Sequence, residues 1–120
     1  KGYGRVINIA SILGRGGLPE LPVLPYHTAK GGLINLTRGA ASEWAKTGVT
    51  VNALCPGFFP SESNSPEAMK AMEGFIRART PMDRAGVDGE LDSSLIYLAA
   101  DESTYVTGMI LFCDGGWTCV

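Results

Sequence analysis

Apolar residues recur along this chain at two distinct spacings. Arg5-Val6-Ile7-Asn8-Ile9-Ala10, Val49-Thr50-Val51-Asn52-Ala53-Leu54-Cys55 and Met109-Ile110-Leu111-Phe112-Cys113 are short runs rich in apolar and β-branched residues, and they read as three strands. The third is almost continuously apolar, which fits a strand covered on both faces. Between the first two, Leu33, Leu36, Ala40 and Trp44 recur at steps of three and four and predict a helix from Tyr26 to Lys46 with one apolar side. Gly31 and Gly32 lower its propensity, although a missing side chain permits close packing, and Gly48 is placed to end it. Leu91, Leu95, Ile96, Leu98 and Ala99 predict another helix over 89–100, capped by Asp88. Pro66 followed by Glu67-Ala68-Met69-Lys70-Ala71-Met72 predicts a shorter helix with proline in its first turn, and Arg77 to Met82 a break.

The stretches between are turn-forming. Leu13 to Pro25 contains three glycines and three prolines and predicts a loop; Pro56-Gly57 stops the second strand, and Phe58 to Ser65 is a further loop. Strand, long helix, strand, helices, strand is the order of parallel βαβ units with right-handed crossovers. Without an internal repeat or a linker, residues 1–120 form part of a single domain. Lys1-Gly2-Tyr3-Gly4 leads almost at once into a strand, so the expectation is an α/β fold, a fragment of a larger doubly wound parallel sheet.

Charge and composition narrow the function. Ten Lys plus Arg against twelve Asp plus Glu give a net charge of −2, and no basic block offers a track for phosphates, so nucleic acid is not an expected partner. No apolar stretch approaches the roughly 18 residues that span a bilayer, and no leader pattern is visible, so a soluble, cytoplasmic protein is expected. Cys55, Cys113 and Cys119 are widely spaced, and His27 is the only histidine, which argues against zinc or a cysteine-histidine centre. Cys55 and Cys113 lie in apolar runs and read as buried thiols, and His27 as a solvent-facing or substrate-lining group.

The candidate chemistry sits at the start of the long helix. Tyr26 and Lys30 are four residues apart, so a helix puts a phenol and an ammonium on one face, where the cation favours the phenolate. Such a pair takes a proton from a substrate hydroxyl or returns it to a carbonyl oxygen as hydride moves to or from a nicotinamide. Ser11, where the first strand ends, is placed to orient the reacting oxygen. A Tyr-x-x-x-Lys pair alone is ordinarily a solvated pair; its position after a strand, Ser11 and a glycine-proline loop makes it specific. Gly14-Arg15-Gly16-Gly17 follows a strand as a phosphate loop would, but Pro19, Pro22 and Pro25 intervene before the helix, so it is not one. Arg15 either faces water or attracts an acidic substrate.

Gly4 to Ser11, Tyr26-His27-Thr28-Ala29-Lys30-Gly31-Gly32-Leu33, Val51-Asn52-Ala53-Leu54-Cys55-Pro56-Gly57, Tyr105-Val106-Thr107-Gly108 and Asp114-Gly115-Gly116 together resemble the C-terminal half of the short-chain dehydrogenase/reductase family. The resemblance implies a Rossmann-like sheet, Ser11, Tyr26 and Lys30 as the catalytic trio, and NAD or NADP as cofactor. It implies that Pro56-Gly57 turns past the nicotinamide, with Phe58 and Phe59 beside it and Ser61 where a threonine is frequent. It also implies that Tyr26 and Lys30 contact the cofactor. The implied substrate is a small alcohol or carbonyl compound, a sugar acid as in gluconate 5-dehydrogenase-like members or a 3-oxoacyl thioester as in 3-oxoacyl-carrier-protein reductase-like ones. The Tyr26–Lys46 helix would form a homo-oligomer contact. Ser11 and Tyr26 differ by 15 in number where the family commonly has about 13, an insertion with a small closure cost. The alternative from another class is a catalytically silent interaction module, because the family's first strand, glycine loop and helix match nothing here.

Overall fold

The computed structural model describes residues 2–62 and 64–120. Lys1, at the expected entry into the first strand, and Ser63, in the expected 58–65 loop, lie outside the described residues. Three parallel strands, β1 (Gly4–Ile9), β2 (Val49–Pro56) and β3 (Ile110–Cys113), lie side by side in that order. Ile9 pairs with Leu54 and Pro56 with Cys113, so all three strands finish at one edge of the sheet. β2 is central, and its interior, Thr50 to Cys55, is buried throughout. Successive side chains of a strand point to opposite faces, so both faces of β2 are covered.

One cover is the long helix α1 (Leu24–Trp44). Its Ile34 joins Ala10, Ala53 and Cys55 in a buried cluster flanked by Leu33, Ile110 and Phe112. The apolar stripe expected through Leu36 and Trp44 is a correction: both are exposed, and the buried line is Ile34, Thr37 and Ala41. Spacing alone favoured the large side chains, whereas the sheet admits the small ones close to its surface. Asn8 on β1 donates through Nδ2 to Thr37 Oγ1 at 3.0 Å, which accounts for the buried threonine. The helix also starts two residues earlier than expected. Pro25 sits in its first turn, where a missing amide costs nothing, and Gly48 with φ of 86° stops the chain after a 3-10 turn over Ala45–Thr47.

The segment after β2 forms two short helices, α2 (Pro66–Ala71) and α3 (Glu73–Arg79). Ser65 caps α2 by accepting the Ala68 amide at 3.2 Å. The break expected over 77–82 falls at Thr80, because Pro81 disfavours helical geometry in the residue before it. The last helix, α4 (Asp92–Ala99), packs against β1 and β2. Arg5 ties its C-terminus to β1, donating to the Ala100 and Asp101 carbonyls at 3.2 and 3.1 Å. Asp88 does not cap this helix. Gly89 takes a left-handed φ of 92°, the chain turns through Glu90, and Leu91 precedes the first helical residue without a side-chain cap. Arg84 meanwhile holds Glu90 as a carboxylate through paired contacts of 2.7 and 2.8 Å, lowering its pKa to about 2. β3 is half-buried along its length and begins at Ile110 rather than Met109.

Candidate active site

Ser11 lies immediately beyond the C-terminal end of β1 and is buried. Its Oγ accepts the Leu13 amide at 3.1 Å and caps the 3-10 turn Ile12–Gly14. That bond uses a lone pair and leaves the hydroxyl proton free to be donated, the orientation needed toward a substrate oxygen. The turn then meets α1 at close quarters. A Cβ on Gly14 would stand 2.7 Å from the Lys30 carbonyl oxygen and 2.8 Å from Ile34 Cδ1, so only glycine lets this segment approach the helix. The close packing that the sequence attached to Gly31 and Gly32 is therefore made by Gly14, across the interface.

Lys30 closes the arrangement. Its Nζ donates to the Ile9 carbonyl at 2.8 Å, two residues before Ser11, and stands 5.5 Å from the centroid of the Tyr26 ring. One N–H of the ammonium is fixed by the end of β1, and two remain to donate elsewhere. Tyr26, in the first turn of α1, is 44% exposed, and among the described residues its hydroxyl has no hydrogen-bond partner. The structure thus joins Lys30 to the strand that carries Ser11 and sets Tyr26 beside Lys30.

Pro56 ends β2 opposite Cys113, and the Gly57 amide donates to the Cys113 carbonyl at 3.0 Å. Both lie at the same edge of the sheet as Ser11. Ligands of open parallel sheets bind outside the C-terminal ends of the strands, and every candidate above converges there. The Phe58 ring turns inward instead, packing edge-on to Phe75 at 6.2 Å and tilted against Trp117 at 5.2 Å. Phe59 lies over Gly86 and lines a cavity of about 340 Å³ with Arg84, Glu90 and Asp114. Ser11, Tyr26 and Lys30 do not line this cavity, so it is not where they would meet a substrate. Ser61 is exposed, and its Oγ accepts the Asn64 amide at 3.0 Å within a tight turn.

The remaining chemistry-bearing residues are more ordinary. Cys55 is fully buried, and burial pushes its thiol up to about 11, with the Ser11 backbone pulling the other way. At about pH 8 a thiol-alkylating reagent is expected to modify the exposed Cys119 while Cys55 stays unmodified until the protein is unfolded. Peptide mass mapping checks this, and modification of Cys55 at the rate of Cys119 would contradict it. His27 is half-buried; Nδ1 lies 3.1 Å from the Val23 carbonyl, and the ring lines an open cleft with Leu13, Leu18 and Leu24. Among the described residues no three His, Cys, Asp or Glu side chains are grouped to hold a metal ion, and no helix is long and apolar enough to cross a membrane.

The same order of segments is found in known proteins. The family model for enoyl-(acyl carrier protein) reductase matches residues 1–118. This chain belongs to the short-chain dehydrogenase/reductase family. Among its relatives, acetoacetyl-CoA reductase of Rhizobium meliloti is 34% identical over 97% of this chain and 47% of its own length. Gluconate 5-dehydrogenase of Gluconobacter oxydans is 36% identical over 98% of this chain and 46% of its own length. The crystal structure of a gluconate 5-dehydrogenase from Burkholderia cenocepacia, in complex with NADP and tartrate, superposes with a TM-score of 0.90 at 37% identity, covering 99% of this chain and 46% of that one. The chain spans about half the length of the curated relatives it matches. Its Rossmann-like parallel sheet flanked by helices is that of a short-chain dehydrogenase/reductase.

Residue spacing did not point to Gly14, Trp117 or the Lys30–Ile9 bond. Each acts through a partner distant in sequence or through backbone, and neither leaves a periodic signal.

Proposed function

We propose that this chain carries the proton-transfer end of an NAD(P)-dependent oxidoreductase that interconverts an alcohol and a carbonyl. One observation carries the reading: Tyr26, whose hydroxyl has no hydrogen-bond partner among the described residues, sets its ring 5.5 Å from an ammonium anchored to Ile9, two residues before Ser11. In oxidation, Tyr26 Oη takes the proton of the substrate hydroxyl, and Lys30 lowers the electrostatic cost of the phenolate. In reduction, the phenol returns a proton to the carbonyl oxygen. Ser11 donates its hydroxyl proton to that oxygen and holds it in place. A bound nicotinamide supplies or accepts the hydride.

The residues present fit one end of such a cofactor. The two free N–H groups of Lys30 and the Tyr26 hydroxyl suit ribose hydroxyls, and the backbone following Gly57 suits a carboxamide. The Gly14–Gly17 segment is followed by Pro19 and Pro22 before α1 begins, with Pro25 in the helix's first turn, and is not a phosphate cradle. Ser61, engaged with Asn64, would contribute only through the loop it shapes.

For the substrate we favour a sugar acid, on the likeness to gluconate 5-dehydrogenases. Exposed Leu36 and Trp44 on α1 are the face through which two copies would associate. The assay follows nicotinamide absorbance with the purified protein, NADH or NADPH, and either an oxo sugar acid or a 3-oxoacyl thioester. Faster turnover of the sugar acid is expected. Preference for the thioester would reverse the substrate assignment, and no hydride transfer to any alcohol or carbonyl compound would overturn the reading.

A further inference from the structure

The connection between Ser11 and Tyr26 is held to the molecule from outside itself. Beyond the 3-10 turn, its internal backbone bonds are those of the Leu21 amide to the Leu18 carbonyl, 3.0 Å, and the Val23 amide to the Leu21 carbonyl, 2.8 Å. A Cβ on Gly16 or Gly17 would meet nothing within 4 Å, so this tip is free of packing. Two attachments oppose that freedom. Leu18 is buried with Ile12 and Leu13 in a cluster against which Leu21, Phe58, Phe75 and Trp117 pack. Glu20 Oε2, two residues further on, accepts from Arg79 Nη1 at 2.8 Å.

Arg79 is the last residue of α3, and its guanidinium does more than meet a carboxylate. It stands 5.4 Å from the centroid of Trp117 and 5.7 Å from that of Phe75. Those rings pack on each other at 5.8 Å and on Phe58, the residue directly after Gly57. A planar cation set against two aromatic rings and a carboxylate keeps one geometry better than an exposed ion pair alone. Three walls therefore meet at this point. They are the segment whose Leu13 amide orients Ser11, the turn that follows β2, and α3.

We propose that Arg79 and Glu20 form a latch that joins the 12–23 connection to α3 over the Phe58–Phe75–Trp117 cluster, and that Arg79 is a positioning residue for the substrate-facing side of the site. With the latch closed, the wall beginning at Leu13 and α3 move as one body, so Ser11 is presented in one place relative to Gly57. With it open, the glycine tip is held only by its apolar contacts and swings away. The positioning role rests on the oxidoreductase reading above; the latch does not.

Limited trypsin digestion tests the latch directly, because Arg15 is exposed and followed by Gly16 and Gly17. Loss of the exposed ion pair is expected to raise cleavage after Arg15 about two- to threefold in Glu20→Gln, and loss of the pair together with the cation–π contacts roughly three- to tenfold in Arg79→Gln. Cleavage after Lys46, at the far end of α1, is expected to stay unchanged, and Arg79→Lys to recover part of the protection. Equal cleavage after Arg15 in all forms, or an equal rise at Lys46, would overturn the latch. In the hydride-transfer assay, Arg79→Gln is expected to raise KM roughly three- to tenfold with kcat within about twofold, Arg79→Lys recovering most of it. A fall in kcat at unchanged KM would overturn the positioning role. If the unmodified protein transfers no hydride, the functional reading fails, while the Arg15 digestion still decides the latch.

Discussion

Replacing Tyr26 by phenylalanine is expected to lower hydride-transfer turnover by about two to four orders of magnitude, the usual contribution of a positioned acid or base. The substitution removes one oxygen, and among the described residues that oxygen has no hydrogen-bond partner to lose. The ring beside Lys30, 44% exposed, is retained. Stability is therefore expected to stay within about 0.5 kcal/mol, as for other surface changes. Cofactor affinity falls only by what the phenol adds to ribose binding. Nicotinamide absorbance for turnover and thermal denaturation for stability measure both sides. Retained turnover would mean that the proton travels by another group. The equivalent change at Lys30 would be less informative, because Lys30→Met also leaves the Ile9 carbonyl without its donor at 2.8 Å.

Asn52→Leu is expected to cost about 2–4 kcal/mol of folding stability, through loss of two hydrogen bonds from a buried side chain rather than of volume. Asn52 is 1% exposed in the middle of β2. Its Nδ2 donates to the Val106 carbonyl at 3.0 Å, and its Oδ1 accepts the Met109 amide at 2.9 Å. The two bonds grip the turn that leads from α4 into β3. That turn is also fastened to β2 by the Gly108 amide on the Val51 carbonyl and by the Val51 amide on Thr107 Oγ1. Leucine fits the space but leaves the part-buried Met109 amide and Val106 carbonyl without these partners. For a chain of this size the loss corresponds to a fall of roughly 10 °C in thermal midpoint. Asn52→Asp should also destabilise, since a carboxylate keeps the acceptor for Met109 but faces the Val106 carbonyl without a proton to donate. Denaturation midpoints unchanged in both variants would show that the turn is held by its other two bonds alone.

Position in the sheet separates these two residues. Tyr26 projects from the first turn of a helix at the open edge where the strands end, so its cost of removal is chemical. Asn52 lies inside the strand with a neighbour on each side, so its cost is structural. Both stand in segments that resemble the family's, and the resemblance alone does not divide them. Burial and hydrogen-bond partners do.

Much of this molecule was legible in the chain. Runs of apolar and β-branched residues, a period-3.6 pattern and turn residues located β1, β2, β3 and α1, because these signals are local and each element answers to its own residues. The interval from Tyr26 to Lys30 placed a phenol beside an ammonium for the same reason: helical geometry alone brings residues four apart together. The tertiary structure decided what depends on approach between segments. Gly14 lets the Ser11 turn touch α1 at Lys30, Ile9 anchors the ammonium, and the stripe of α1 that meets the sheet is Ile34, Thr37 and Ala41 rather than Leu36 and Trp44. The aromatic cluster claims the Phe58 ring, and Glu20 meets Arg79 across 59 positions of chain. Spacing along one chain carries no distance between two elements, so contacts set by packing are fixed only when the layers close on each other.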